Sequence, residues 1–261
     1  MGPLAELPEY MEELVDSFDP AFIFGSNGVG LTQYIFWMII VWVLVLVAVM
    51  VGGKNESVIP HNKFSEIIEY LYTMVRNSIV GGVIGNGVKR YTPFLATLFF
   101  FILFANVVGL IPGAKAATGS ISVTWALSIC AWVYFNYWGF KTHGFKGYIR
   151  AIAPSGIPTA LVPIIWFFEL ISLVLRALTL AVRLYANMFA GHLVMGAFAL
   201  LAGLFFTYAI QNIAPVYAVA SVGWTALLIF MYLIECLVAY VQAYVFTTLT
   251  AVYISLATSS H

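Results

Sequence analysis

The sequence predicts an all-α integral membrane protein with five transmembrane helices and one amphipathic surface helix, the last two transmembrane helices being long, tilted and paired as a hairpin. Of the 261 residues, 62% are hydrophobic and only 8% are charged, whereas soluble domains carry about 25% charged residues. Several uncharged stretches are long enough to cross about 30 Å of hydrocarbon. The C-terminal part of the chain also contains two unusually long apolar runs.

The first half of the chain divides into four segments. Residues 1–30 form an acidic segment with six acids and no base, which is not a signal peptide because it lacks a basic n-region. Residues 31–53 are predicted to form a transmembrane helix. Residues 61–80 carry apolar side chains at helical spacing and polar ones opposite, which predicts an amphipathic surface helix. Residues 93–140 are predicted to form a transmembrane helical hairpin around the short turn "PGAK".

Basic residues are concentrated in two of the connecting segments. Residues 54–90 contain five bases and residues 141–150 contain three, whereas the 112–120 turn contains only Lys115. Because Lys and Arg accumulate on the cytoplasmic side of a membrane, we expect the acidic N-terminus outside and the surface helix inside. The 112–120 turn is then outside and the C-terminus inside.

The segment 157–257 is predicted to form a long, tilted helical hairpin. Residues 163–211 would form a helix about 73 Å long, and residues 216–257 one about 63 Å long, so neither can stand upright in a bilayer. The stretch "QNIAP", residues 211–215, is the only clear turn signal between them.

A different division of the first run is also possible. Residues 151–212 could hold two ordinary spans if the chain turned near Gly191 or Gly196. We favour the single helix because neither glycine lies within a group of turn-forming residues.

Five polar residues interrupt this apolar hairpin: Glu169, Arg183 and His192 on its first helix, and Glu235 and Gln242 on its second. Arginine keeps its charge at any accessible pH, and placing it at a bilayer centre costs about 2.5–3.5 kcal/mol on insertion scales. Antiparallel helices that turn near residue 213 bring Arg183 level with Gln242, and His192 level with Glu235.

The helical positions of these residues predict two separate polar regions. Glu169 lies on the same face as Arg183, about 21 Å further from the turn, whereas His192 lies on roughly the opposite side of its helix. A neighbouring carboxylate lets an imidazole exchange protons near neutral pH. The pattern therefore predicts two offset proton half-paths with a permanent positive charge between them.

Several segments together resemble subunit a of the rotary F-type ATP synthase. They are "FFELISLVLRALTLAVRLYANMFAGH", which ends at His192, "ECLVAYVQAYVFTTLTAVYISL" (235–256), "FANVVGLIPG" (104–113) and "IPHNKFSEIIEYLY". The resemblance runs from the first span to the C-terminus. It implies a subunit with five transmembrane helices and a surface helix, in agreement with the interpretation above.

The resemblance also implies roles for individual residues. Arg183 matches the essential arginine that faces the carboxylates of the rotating c-ring. The inner half-channel residue is Glu169, and Gly109 stands where some members carry an acid. The residues implied for the outer half-channel are His192, Glu235, Asn187, Gln242 and Asn106.

Structural explanations exist for several of these residues. Arg183 could be neutralised in an ion pair with Glu169 or Glu235, and His192 could only link helices by a hydrogen bond. Asn187 and Gln242 could serve only to orient Arg183. Arg176 is expected to reach Glu169 or the inner headgroups.

The family resemblance defines the expected surroundings of the chain. The implied partners are a c-ring of small hairpin subunits, b-type peripheral stalk subunits, the rest of the F1Fo complex and the lipid bilayer, with no nucleic acid. The chain has no Gly-rich phosphate loop, which agrees with catalysis residing in partner subunits, so we expect a non-catalytic subunit. No cofactor and no metal are expected. We expect the bacterial plasma (inner) membrane, with the mitochondrial inner membrane as the alternative and sodium as an alternative coupling ion.

Two other functional classes explain the sequence less well. A self-contained transporter or channel should show repeats, helices broken at a midplane site, or a carbonyl-lined pore motif, and none is visible. A purely structural membrane scaffold leaves the cost of Arg183 unexplained.

Overall fold

The computed structural model describes residues 7–16, 22–26, 29–53, 63–85, 87–111, 113–151, 162–212 and 214–259. Parts of the predicted segments therefore lie outside the described residues: 1–6, 17–21 and 27–28 of the acidic segment, 61–62 of the surface helix, 112 of the first hairpin, and 157–161 and 213 of the long hairpin. Lys54, one of the bases used to predict orientation, also lies outside them.

The described chain is almost entirely helical, which confirms the all-α fold class. In chain order the elements are α1 (Leu7–Asp16), strands β1 (Phe22–Ser26) and β2 (Val29–Thr32), α2 (Gln33–Gly53), α3 (Lys63–Met74) continued by a π-helical segment (Val75–Gly81), α4 (Val88–Gly109), a 3-10 turn (Ala117–Gly119), α5 (Ile121–Ala151), α6 (Val162–Asn212) and α7 (Pro215–Thr258). The two strands pair as an antiparallel hairpin, a feature that the sequence interpretation did not include.

Four of the described helices are long and apolar enough to cross a membrane: α2, α4, α6 and α7. The fifth predicted span corresponds to α5, which has 31 residues and packs against both α6 and α7. Residues 121–138 of this helix include three tryptophans and two tyrosines together with Asn136. These side chains lower its mean hydropathy and suit a helix that is partly enclosed by its neighbours.

The last two helices form the predicted long hairpin. The first, α6, runs without interruption for 51 residues, and α7 runs for 44 residues. The alternative of two ordinary spans with a turn near Gly191 or Gly196 is therefore wrong. Pro215 stands at the start of α7, where a missing N–H costs nothing because no helical partner exists for it.

The centre of the molecule is α4. Of its 22 residues, 13 are buried, among them the fully buried Leu95, Phe99 and Ile102. It contacts α2, the π-helical segment and α7. By contrast, none of the residues in the most apolar stretch of α6 is buried within the chain. This helix therefore presents a long apolar surface to the outside of the bundle.

Hydrogen bonds from α5 fix the backbone of α6. The Ser128 hydroxyl donates to the carbonyl of Ala177, and the Trp132 indole N–H donates to the carbonyl of Leu173 at 3.1 Å. Both acceptors belong to successive turns of α6, before Arg183. The long helix is thus attached to the rest of the chain near the residue of greatest functional interest.

The predicted surface helix corresponds to α3 and the π-helical segment. The helical spacing assigns these apolar residues to one face, but Ile68, Val75 and Ile79 are buried whereas Phe64 and Ile67 are 50% and 56% exposed. The side chains of Phe64 and Ile67 therefore face away from the bundle. Exposed apolar side chains beside a polar face are typical of a helix that lies in a membrane surface.

Candidate functional site

Arg183 projects from α6 away from the helix bundle. Its side chain is exposed, within an apolar surface that also includes Leu178 and Val182. In the part of the chain that the structure describes, Arg183 makes no hydrogen bond and no ion pair. Neither Glu169 nor Glu235 neutralises it, so the structural ion pair considered for Arg183 is not formed.

Glu235 of α7 meets α6 at Gly191, because a Cβ atom at Gly191 would overlap the carboxyl group of Glu235. That carboxyl group therefore rests on the backbone of α6, one residue before His192 in the sequence. The predicted register brings Glu235 to this level of α6. Glu235 is only 4% exposed.

Four predicted site residues have buried polar atoms that find no partner in the described structure. They are Nδ2 of Asn187, Nε2 of His192, Oε1 of Glu235 and Nε2 of Gln242. Buried polar atoms are normally hydrogen-bonded, and those without a protein partner usually bond to ordered water. Their grouping along the α6–α7 contact is what a path for water and protons requires.

Asn106 lies in the same region but has its partners within the protein. Its amide Nδ2 donates to the carbonyl of Ala239 at 3.2 Å, and its Oδ1 accepts from the hydroxyl of Thr118 at 2.7 Å. Ala239 is one turn beyond Glu235 on α7. Asn106 thus joins α4, the 3-10 turn and α7, and holds α7 close to the Glu235 carboxyl.

Glu169 and Arg176 form an ion pair on the other side of Arg183, further from the hairpin turn. Arg176 Nη2 donates to Glu169 Oε1 at 2.8 Å, and the two side chains are 22% and 38% exposed, in the order Arg176 then Glu169. The Arg176 guanidinium also lies 5.4 Å from the ring centre of Tyr253 on α7. Of the two expectations for Arg176, the structure confirms the contact with Glu169.

Tyr148 is a neighbour of this ion pair that the sequence did not reveal. Gly144, with φ +70°, interrupts α5, and the chain beyond it places the Tyr148 hydroxyl 3.0 Å from Oδ1 of Asn136. From there Tyr148 is close enough to interact electrostatically with Arg176 and Glu169. Gly144 was the only signal in the sequence for this bend.

Lys115 is a second residue that the motifs did not indicate. It lines a cavity of about 220 Å³ together with Tyr34 of α2 and His192 of α6. With the C-terminus expected inside, the turn of the long hairpin is expected outside, on the same side of the membrane as the 112–120 turn. The spacing of residues in sequence could not show that the two meet.

The described residues contain no group of three or more His, Cys, Asp or Glu side chains that could hold a metal ion. Among the described titratable groups of α6 and α7, Glu169 is paired with Arg176, and Glu235 packs on Gly191.

Comparison with known proteins points to one family. The ATP synthase A chain family model matches residues 35–255. ATP synthase subunit a of Parvibaculum lavamentivorans is 33% identical over 236 residues, covering 88% of this chain and 85% of the relative. The subunit from Pelagibacter ubique is 34% identical over 244 residues, covering 93% of each protein. The subunit from Dictyostelium discoideum is 35% identical over 227 residues, covering 87% of this chain and 88% of the relative.

Proposed function

Because the chain belongs to the ATP synthase A chain family, we propose that it is the stator proton-channel subunit of the membrane (Fo) sector of a rotary ATP synthase. Members of this family are non-catalytic membrane subunits, and catalysis resides in the F1 sector. In the proposal this chain provides two offset proton half-channels, and Arg183 separates them while facing the carboxylates of the c-ring.

The observation that carries the proposal is the environment of Arg183. A permanent cation on an exposed apolar surface costs about 2.5–3.5 kcal/mol at a bilayer centre, and no described residue of the chain neutralises it. A partner that brings carboxylates to this surface would recover that cost. A ring of small subunits, each with one carboxylate at mid-membrane depth, meets this requirement.

In the outer half-channel, protons would pass through His192 and Glu235 to the ring. The orphan polar atoms of Asn187, His192, Glu235 and Gln242 support a hydrated route along the α6–α7 contact. Asn106 belongs to this half-channel mainly as the residue that positions α7, because both of its bonds are to protein atoms.

In the inner half-channel, Glu169 would accept protons that leave the ring. Its pairing with Arg176 keeps a carboxylate at a fixed place on α6, and its 38% exposure leaves it open to water. Arg176 is thus a residue that holds Glu169 in position.

Arg183 couples the two half-channels to rotation. Its charge repels a hydrated proton, so protons do not pass directly from one half-channel to the other. The same charge favours the ionised form of a ring carboxylate beside it, which releases its proton to the inner side. A proton that crosses with the membrane potential supplies about 2.3 kcal/mol per 100 mV.

The proposed assembly contains the c-ring, b-type peripheral stalk subunits and the rest of the F1Fo complex within a lipid bilayer. We place the N-terminus outside and the C-terminus inside, following the positive-inside rule. A bacterial plasma (inner) membrane is proposed, with the mitochondrial inner membrane as the alternative. The proton is proposed as the coupling ion, with sodium as the alternative.

Substitution of Arg183 tests the proposal. Arg183→Ala should abolish ATP-driven acidification of inverted vesicles while the complex still assembles. Thr179→Ala is the matched control, because Thr179 lies one turn earlier on α6, is also exposed and donates only to the carbonyl of Arg176 in its own helix. Near-normal coupled pumping by Arg183→Ala would refute the assigned role.

A further inference from the structure

The cavity beside His192 is built from three parts of the chain. Tyr34 of α2, Lys115 of the 112–120 turn, and Met188, Phe189 and His192 of α6 line it. At about 220 Å³ it has room for several water molecules, each of which occupies about 30 Å³ in the liquid. It lies at the end of the proposed outer half-channel that is nearer to the 112–120 turn.

Lys115 is held in this cavity by a well-anchored turn. Thr118 bonds to Asn106 of α4, and the Tyr232 hydroxyl of α7 donates to the carbonyl of Leu110 at 2.8 Å. Gly109 packs so closely on Ala116 that a Cβ at Gly109 would overlap it. The position of Lys115 is therefore fixed by contacts to two helices.

The charge of Lys115 acts on the polar residues of the cavity. Its ammonium is close enough to the imidazole of His192 for the two to interact electrostatically. Among the described residues that line the cavity, Tyr34 of α2 is the other titratable group, and Glu235 of α7 packs on Gly191, next to His192 in the sequence. Lys115 is the cationic residue among these groups. A positive charge in a cleft with apolar walls raises the local concentration of anions and lowers that of cations.

We propose that Lys115 is an electrostatic positioning residue at the outer mouth of the proton path, where its charge lowers the local concentration of cations beside His192 and so sets the pH range over which protons are taken up. The inference rests on the proposed function in one respect, namely that His192 lies on the proton path. A consequence is discrimination against metal cations, which would have to enter this cavity as hydrated ions.

The test is the pH profile of passive proton conductance through vesicles that hold the complex without its catalytic sector. The pH of the compartment facing the 112–120 turn is varied at constant driving force. Lys115→Gln should shift the half-maximal pH upward by roughly half to one unit, a three- to tenfold gain at fixed pH, the size expected for one nearby charge. Lys115→Glu should shift it further, whereas Lys115→Arg and the exposed control Lys63→Gln should match the wild type.

Two further readouts separate an electrostatic role from a structural one. The shift should shrink as salt rises, because the Debye length falls from about 30 Å at 0.01 M to about 3 Å at 1 M. Burial lowers the pKa of the Lys115 ammonium from its ordinary value. Above that pKa the wild type also loses the charge, so its profile and that of Lys115→Gln should converge at alkaline pH.

If Lys115→Gln fails to assemble, Lys115→Cys in a background with Cys130→Ser and Cys236→Ser allows the charge to be set after assembly. A cationic methanethiosulfonate reagent should restore the wild-type profile, and an anionic one should shift it upward. Profiles that do not respond to the charge at position 115 would overturn the inference. Loss of pumping in Arg183→Ala together with such unresponsive profiles would leave the proposed function standing, whereas pumping by Arg183→Ala would remove both.

Discussion

Replacing Gly191 by alanine should slow proton transfer while leaving the fold as stable as before. A methyl group at Gly191 would overlap all three atoms of the Glu235 carboxyl group, so the carboxyl must move away from the backbone of α6 at this position. Holding a side chain about 30° from its rotamer costs about 0.5–1.5 kcal/mol. Alanine in place of glycine inside a helix contributes about 0.8–1.0 kcal/mol of stabilisation. The two effects nearly cancel in the free energy of unfolding.

The rate of proton transfer should still fall, because it depends on the distance between proton donor and acceptor, which a gain in helix propensity does not restore. A misplacement of about 1 Å can cost about 100-fold in rate, so we expect Gly191→Ala to conduct protons about 10- to 100-fold more slowly. Passive conductance and ATP-driven acidification measure the loss, and thermal dissociation of the complex measures stability.

Gly203→Ala is the matched control for this experiment. Gly203 lies on the same helix, and a Cβ atom there would meet nothing within 4 Å. This control should gain the same helix propensity and conduct protons normally. Equal conductance of the two alanine variants would refute the argument that Gly191 exists to seat the Glu235 carboxyl.

Two predictions concern the paired groups on either side of Arg183. His192→Ala and Glu235→Ala should each slow transport, and the double variant should be little slower than the worse single one, because the two residues share one relay; independent, additive losses would argue for separate paths. A double-mutant cycle with Glu169→Gln and Arg176→Gln, read by thermal unfolding, should give a coupling energy of about 1 kcal/mol, because Glu169 is 38% exposed and water screens the pair. A coupling energy above about 3 kcal/mol would mean that the pair is buried in the assembled complex.

The long hairpin could be predicted from the sequence because nothing in residues 163–211 breaks a helix and "QNIAP" marks the turn clearly. Once the turn was placed, the level of His192 with Glu235 followed from the constant rise of an α-helix. Gln242 was placed level with Arg183 in the same way, but the structure buries Gln242 while Arg183 is exposed, and no hydrogen bond joins them. The register of the hairpin predicts how far along the helix axis each residue lies, but it does not predict the direction in which the side chain points.

Contacts between segments that are distant in the chain could not be predicted from the sequence. The approach of Lys115 to His192 depends on how α4, α6 and the intervening turn pack, and no periodicity encodes that distance. The bend at Gly144 that brings Tyr148 to Arg176 was similarly hidden, because an isolated glycine within a helical pattern is often tolerated without a bend. The exposure of Phe64 and Ile67 shows the same limit, since an apolar stripe fits lipid as well as protein.

The hydrogen bonds from Ser128 and Trp132 to α6 have a mechanical consequence. In the proposed assembly, a c-ring that rotates against the outward surface of α6 would exert a sideways load on this long helix. Because two successive turns of α6 are bonded to α5, that load would pass into the rest of the protein instead of bending the helix. Arg183 would then keep its position while a ring carboxylate moves past it.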